Sequence, residues 1–235
     1  MNPGQPPMKQ MALDIGLAPV PTLANFVAVG NEAALEHLSL WTGNPRRSPV
    51  PTLLRGEGGS GKTHLLRAAR EALRDHGGQV GWIDASTLHP VEYDERWVAV
   101  VLDDCHLYTA EQQAAAFNWF VNAQTPAHGP ARWVLAAADR PPADLQLRED
   151  LRTRLGWGHV FQVKALGEAE RRAVLRRAAD ERGVFLSDEV MDFMLNRFSR
   201  DLSSLMMLLD QLDAYALRTQ RAITIPLIKS MLENE

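Results

Sequence analysis

One cysteine, Cys105, stands in 235 residues. Neither an intrachain disulfide framework nor a cysteine-based zinc cluster can be built from it, which suits a reducing cytoplasm. Strong charge bias is also missing: 25 Lys+Arg against 29 Asp+Glu leave −4 at pH 7. Without a global positive field, contact with DNA has to be local or made through another molecule. No apolar run reaches the roughly 18 residues of a membrane helix. A single lysine precedes residue 46, and the early apolar stretch is broken by Asp14, Pro19 and Pro21, which argues against a signal peptide. What remains is an ordinary globular composition, 46% hydrophobic and 23% charged, long enough for a core domain and a smaller appendage.

Residues 1–24 carry five prolines and no sustained period, so they read as an extended tail. From Asn25 onward, short apolar runs alternate with helical stretches. A helix over 31–41 is followed by strands at 52–55, 79–83, 97–102, 132–137 and 159–163, with helices at 62–75, 110–121 and 145–154 between them. This alternation predicts a parallel sheet covered on both faces, over residues 25–165. After Leu166 the strand signal stops. Helices at 168–182, 187–196, 201–218 and 225–232 predict a separate helical subdomain over 166–235. In its third helix Leu202, Leu205, Met206, Leu209, Leu212 and Ala216 form one apolar, core-facing stripe.

The strongest chemical signal runs from Gly56 to Thr63. Gly56, Gly61, Lys62 and Thr63 fill every fixed position of G-x-x-x-x-G-K-[ST] between an expected strand and an expected helix. Gly58, Gly59 and Ser60 complete a loop whose N–H groups can approach phosphate oxygens, beside the positive end of the helix that opens there. Lys62 would reach the β- and γ-phosphates and Thr63 would offer its hydroxyl to Mg²⁺. Some 40 residues on, the apolar run 98–102 ends in Asp103-Asp104. Asp103 is expected on the metal side, and Asp104 to orient or deprotonate the attacking water. The neighbouring Cys105 and His106 lack a third activating group and are given no catalytic role.

The strings Gly-Lys-Thr-His at 61–64, Leu-Asp-Asp at 102–104, Ala-Asp-Arg-Pro-Pro at 138–142, Arg-Leu-Gly-Trp-Gly at 154–158 and Arg-Asp-Leu at 200–202 together resemble the DnaA-type AAA+ family. The resemblance covers roughly residues 20–235. Since residues 1–235 contain no helix-turn-helix domain, it is expected to be strongest to the Hda-type regulators within that family. It implies a P-loop AAA+ three-layer α/β base with a parallel sheet and a C-terminal helical lid, holding ADP or ATP with Mg²⁺. Phe26, Gly30 and Asn31 look like the family's adenine-side box, and His64 falls within the nucleotide motif. By the same resemblance Asp139 would be the sensor near the γ-phosphate, and Arg200 the lid arginine that reaches back to the nucleotide. From the residues alone, Asp139 is equally a turn former and Arg200 a solvated helix-start charge.

Arg154 would, by the resemblance, be an arginine finger acting in trans on a neighbour's γ-phosphate, with Arg152 turned in another direction. Its bland alternative is a surface ion pair. In the tail, Gln10, Met11, Leu13 and Ile15 resemble the short peptides that bind the bacterial DNA polymerase III sliding clamp. The expected function is restraint of replication initiation. The chain would bind nucleotide, dock on the DNA-loaded clamp and stimulate ATP hydrolysis by DnaA, touching DNA only through the clamp, with a homodimer left open. The rivals are a self-contained remodelling ATPase and a nucleotide-bound adaptor without catalysis.

Overall fold

The computed structural model describes residues 20–44, 48–198 and 202–233. The chain divides into two compact units, one spanning Val20–Ala165 and one running from Leu166. The tail motif Gln10–Ile15 and Arg200 lie outside the described residues.

In the first unit the elements are α1 (Glu32–Gly43), β1 (Thr52–Arg55), α2 (Lys62–Asp75), β2 (Gln79–Ile83), β3 (Trp97–Leu102), α3 (Ala110–Gln124), β4 (Trp133–Ala138), α4 (Glu149–Leu155) and β5 (His159–Gln162). The strands form one parallel sheet in the order β2-β3-β4-β1-β5. Alternation along each strand sends successive side chains to opposite faces. Leu53, Val100, Leu102, Val134 and Ala136 pack under α3 and α4 with Trp119, Phe120 and Leu151. Leu54, Ala99, Val101, Leu135 and Ala137 pack under α1 and α2 with Leu38, Leu65, Leu66 and Leu73. Apolar surface on both faces of every central strand is what demands helices on both sides, and the result is a three-layer α/β/α unit.

Most element bounds differ from the sequence reading by a residue or two, and three of the differences have a physical reason in the structure. The expected helix 145–154 begins at Glu149. A single 3₁₀ turn, Pro142–Asp144, precedes an extended stretch in which Leu145 and Leu147 are buried, an alternation that a helix cannot supply. β4 lies one residue later than expected because Ala138 pairs with Arg55. α3 runs on to Gln124 from a capping box made by Thr109 and Gln112.

The second unit holds α5 (Glu168–Glu181), α6 (Asp188–Arg197), α7 (Leu202–Thr219) and α8 (Ile225–Glu233). Its core joins Leu175, Met191, Met194, Leu205, Leu208, Leu209, Leu212 and Ile228. The buried face of α7 therefore includes Leu208, while Met206 and Ala216 are only partly covered. Ser187 caps α6 by accepting a hydrogen bond from the Val190 N–H.

Candidate functional site

Strand order creates the site. Because β3, β4 and β1 are neighbours, their carboxyl ends lie side by side, the edge at which open α/β sheets bind ligands. The loop after β1, the acids after β3 and Asp139 after β4 all leave the sheet there. The Gly56 N–H donates to Ala138 O (3.1 Å), which ties the loop to β4. A Cβ on Gly56 would lie 2.1 Å from Val163 O, so this close approach requires glycine. Gly61, at φ +95°, turns the chain into α2 and packs beneath Phe26, where a Cβ would meet the ring at 2.8 Å. The Phe26 ring in turn lies 5.6 Å from that of His64, whose Nε2 is 3.1 Å from Thr22 O.

Lys62 is buried. Its Nζ donates to Gly56 O (2.7 Å) and Glu57 O (3.0 Å), holding the loop around the ammonium. Burial lowers its pKa, while the charges of Asp104, Asp103 and Asp139 pull in the opposite direction, so these four side chains share one electrostatic neighbourhood. Thr63 Oγ1 donates to Asp103 Oδ1 at 3.1 Å. Asp103 is 4% exposed, and burial together with the adjacent Asp104 charge pushes its carboxyl up to about 6. Asp104 adopts the left-handed region (φ 47°, ψ 42°) before the 3₁₀ turn Cys105–Leu107. That conformation is costly for a non-glycine residue and is typical of functional turns.

Other expected site residues have partners of their own. The carboxylate of Asp139 is gripped by Arg140 (2.9 and 2.6 Å), which holds it below its usual range. Asn31 is buried and fully engaged: its Nδ2 donates to Lys164 O (3.0 Å) and its Oδ1 accepts from Lys164 N (2.7 Å). Here it tethers the start of α1 to the segment after β5. Burial and the nearby carboxylates push the Cys105 thiol up to about 12, so it is no nucleophile. His106, given no role from sequence, lies within electrostatic range of Asp139 and has a buried Nδ1 without a partner among the described residues. Ser60 Oγ is likewise buried and unpartnered.

Arg154 makes contacts with other residues. Its guanidinium lies over Phe117 (4.7 Å) and Trp157 (5.2 Å), and donates to Asp150 O (3.2 Å). Among the described residues no carboxylate pairs with it, so the surface ion pair weighed from sequence does not form. Trp157, beside it, is 64% exposed. The sequence singled out the arginine but not the two rings that hold it, since Phe117 lies on a different helix.

Known proteins resemble this chain in both sequence and fold. A profile of the family described as Hda, lid domain, matches residues 168–232. An uncharacterised protein of Haemophilus influenzae is 33% identical over 95% of this chain and 98% of its own. Domain III of the replication initiation protein DnaA from Thermotoga maritima superposes with a TM-score of 0.65 at 20% identity, covering 94% of this chain and 98% of that one. AMPPCP-bound DnaA from Aquifex aeolicus superposes with a TM-score of 0.63 at 22% identity, covering 87% of this chain and 68% of that one. The chain belongs to the Hda/DnaA-type AAA+ family. In this AAA+ chain the phosphate loop, the strand-end acids and Asp139 all lie on the α/β unit, and the residues matched by the lid profile form the helical one. No helix among the described residues is long and apolar enough to cross a membrane.

Proposed function

We propose that this protein is a regulator of replication initiation that binds an adenine nucleotide with Mg²⁺, docks on the DNA-loaded sliding clamp and stimulates ATP hydrolysis by DnaA through Arg154. The observation that carries the nucleotide site is the Thr63–Asp103 hydrogen bond at the head of α2, next to a lysine buried among three carboxylates. The residues present fit the ligand. There is open space where Cβ atoms on Gly58 and Gly59 would stand, and Ser60 Oγ is buried without a partner beside them. A hydroxyl and a carboxylate are the hard oxygen donors that Mg²⁺ takes. Among the described residues no group of three or more His, Cys, Asp or Glu could cage a metal, which suits an ion held mainly by phosphate oxygens and water.

In this reading the loop N–H groups and Lys62 bind and orient the phosphates, Thr63 and Asp103 hold the metal side, and Asp104 stands at the strand end to position water. Mg²⁺ would supply charge neutralisation of the phosphates. DnaA that binds AMPPCP shares the fold, which supports an adenine nucleotide as ligand. Arg154 supports the trans role: it is half-buried, stacked, free of any carboxylate partner among the described residues, and beside an exposed tryptophan. A guanidinium presented in this way can meet an incoming phosphate with its planar fork. Gln10, Met11, Leu13 and Ile15 are the proposed clamp anchors, and Arg200 the proposed lid contact to nucleotide.

The test is hydrolysis of DnaA-bound ATP with purified protein, clamp and DNA. Arg154→Ala is expected to lower stimulation by about 10² or more, approaching the range of known fingers, with Arg152→Ala near wild type. Gln10→Ala should lose stimulation only where the clamp is required. Full stimulation by Arg154→Ala would overturn the mechanism. Clamp-independent turnover by the protein alone would favour a self-contained ATPase.

A further inference from the structure

A cavity of ≈ 510 Å³ lies away from the phosphate loop, between the β2–β3 connection (residues 84–96) and α3. The connection has no regular secondary structure, yet it is fastened along its length. Gln112 Nε2 donates to the carbonyls of Asp84, Ala85 and Thr87 (3.2, 3.3 and 2.8 Å). The Trp119 indole donates to Val91 O (3.0 Å), and Trp97 stands edge-on to both Tyr93 and Trp119 (centroids 5.6 and 4.5 Å). The cavity is therefore a preformed site within the size range of ligand pockets.

Its lining includes two aromatic side chains, Tyr93 and Trp119, and two exposed carboxylates, Glu92 and Glu95. The Tyr93 hydroxyl is buried without a partner among the described residues, a desolvation cost that a ligand's hydrogen bond would remove. Glu92 and Glu95 are among the lining residues, and neither carboxylate enters an ion pair among the described residues. The nearest cations are committed elsewhere. Arg96 is paired with Asp94 (2.6 Å), and Arg132 donates to the carbonyls of Trp97, Pro130 and Glu95. The Asn122 amide donates to Asn118 O and Oδ1 (3.0 Å each), which leaves its own oxygen as a further acceptor. Acceptors, two carboxylates and aromatic rings in one lining suit a planar cation rich in N–H donors on an apolar stem, which is a guanidinium. Leu88 and Val91, 78% and 63% exposed, supply apolar surface on the same connection, more than a free amine would use.

We propose that this cavity receives an arginine side chain from a basic segment of a partner protein. The interaction is independent of the nucleotide site. It is tested on the full chain by following the indole N–H resonances of Trp119 and Trp97 by NMR while adding the peptide acetyl-Gly-Leu-Arg-Leu-Gly-amide, its citrulline counterpart, or arginine amide. The arginine peptide is expected to shift both resonances and to bind about tenfold or more tightly than the citrulline peptide, which differs in charge. Glu92→Gln with Glu95→Gln should abolish that preference. Tyr93→Phe, which keeps the ring, should weaken binding severalfold. Equal binding of the two peptides, or a preference that survives both glutamine substitutions, overturns the proposal. Arginine amide binding as tightly as the peptide would make this a small-cation site and overturn the docking role.

Discussion

Asp103 carries two demands that conflict in the absence of ligand. It is buried and stands next to Asp104, so its ionised form is disfavoured and its carboxyl rises to about 6. A cation at that place would favour the same ionised form. Asp103→Asn is therefore expected to raise the melting temperature of the ligand-free protein near neutral pH, where the buried carboxylate is charged. The same substitution should remove any extra stabilisation that Mg²⁺ adds to ATP. Differential scanning fluorimetry of both proteins with ATP, with and without EDTA, reads both effects. A variant less stable than wild type without ligand would contradict the burial argument. Spacing made Asp103 legible in the sequence, because a buried strand ending in an acid some 40 residues beyond the phosphate loop is a local pattern. Asn31 was not legible in the same sense, because its partner Lys164 is 133 residues away. Nothing local shows that both polar groups of its side chain are spent on that backbone.

At the level of elements, α1 docks on the β5 edge of the sheet through His37. Its Nε2 is 2.9 Å from Thr52 Oγ1, and its ring contacts those of His159 (4.8 Å) and Phe161 (4.9 Å). Burial, and then the His159 charge, lower the His37 pKa below its ordinary 6.5. Between the folded and unfolded values the unfolded chain binds more protons, so stability falls as pH drops below about 6.5. Above that pH the imidazole is neutral in both states and the contribution is complete. His37→Gln, which retains a partner for Thr52, should show a smaller loss of urea midpoint between pH 7.5 and 5.5 than the native protein. An identical loss would remove His37 from the account. The elements themselves were largely readable: alternation and the 3.6-residue period located every strand and α-helix among the described residues. The main boundary error was α4. There Leu145 and Leu147 looked like part of a helix, and the core instead buries them from an extended segment.

For the whole molecule, a net charge of −4 and a proposed nucleotide site confined to one unit make ligand, rather than DNA, the expected control on stability. A ligand that binds only the native state at 100 times its Kd stabilises by about 2.7 kcal/mol. ATP with Mg²⁺ should therefore raise the melting temperature of the native protein, and Lys62→Ala should abolish that rise. An unaltered rise in Lys62→Ala would place the nucleotide elsewhere. By itself the sequence determined what depends on neighbours along the chain. That covers the phosphate loop and its helix, the acids at the end of β3, and the change from strands to helices at residue 166. Tertiary structure decided what depends on strand order and on residues far apart. Only the adjacency of β3, β4 and β1 brings Lys62 among Asp103, Asp104 and Asp139. Only the packing of α3 near α4 lays Phe117 under Arg154, and only the folding of residues 84–96 onto α3 makes the acidic cavity. Local pattern encodes which face of an element is apolar, whereas the partner that covers it is chosen by the closure of the whole core.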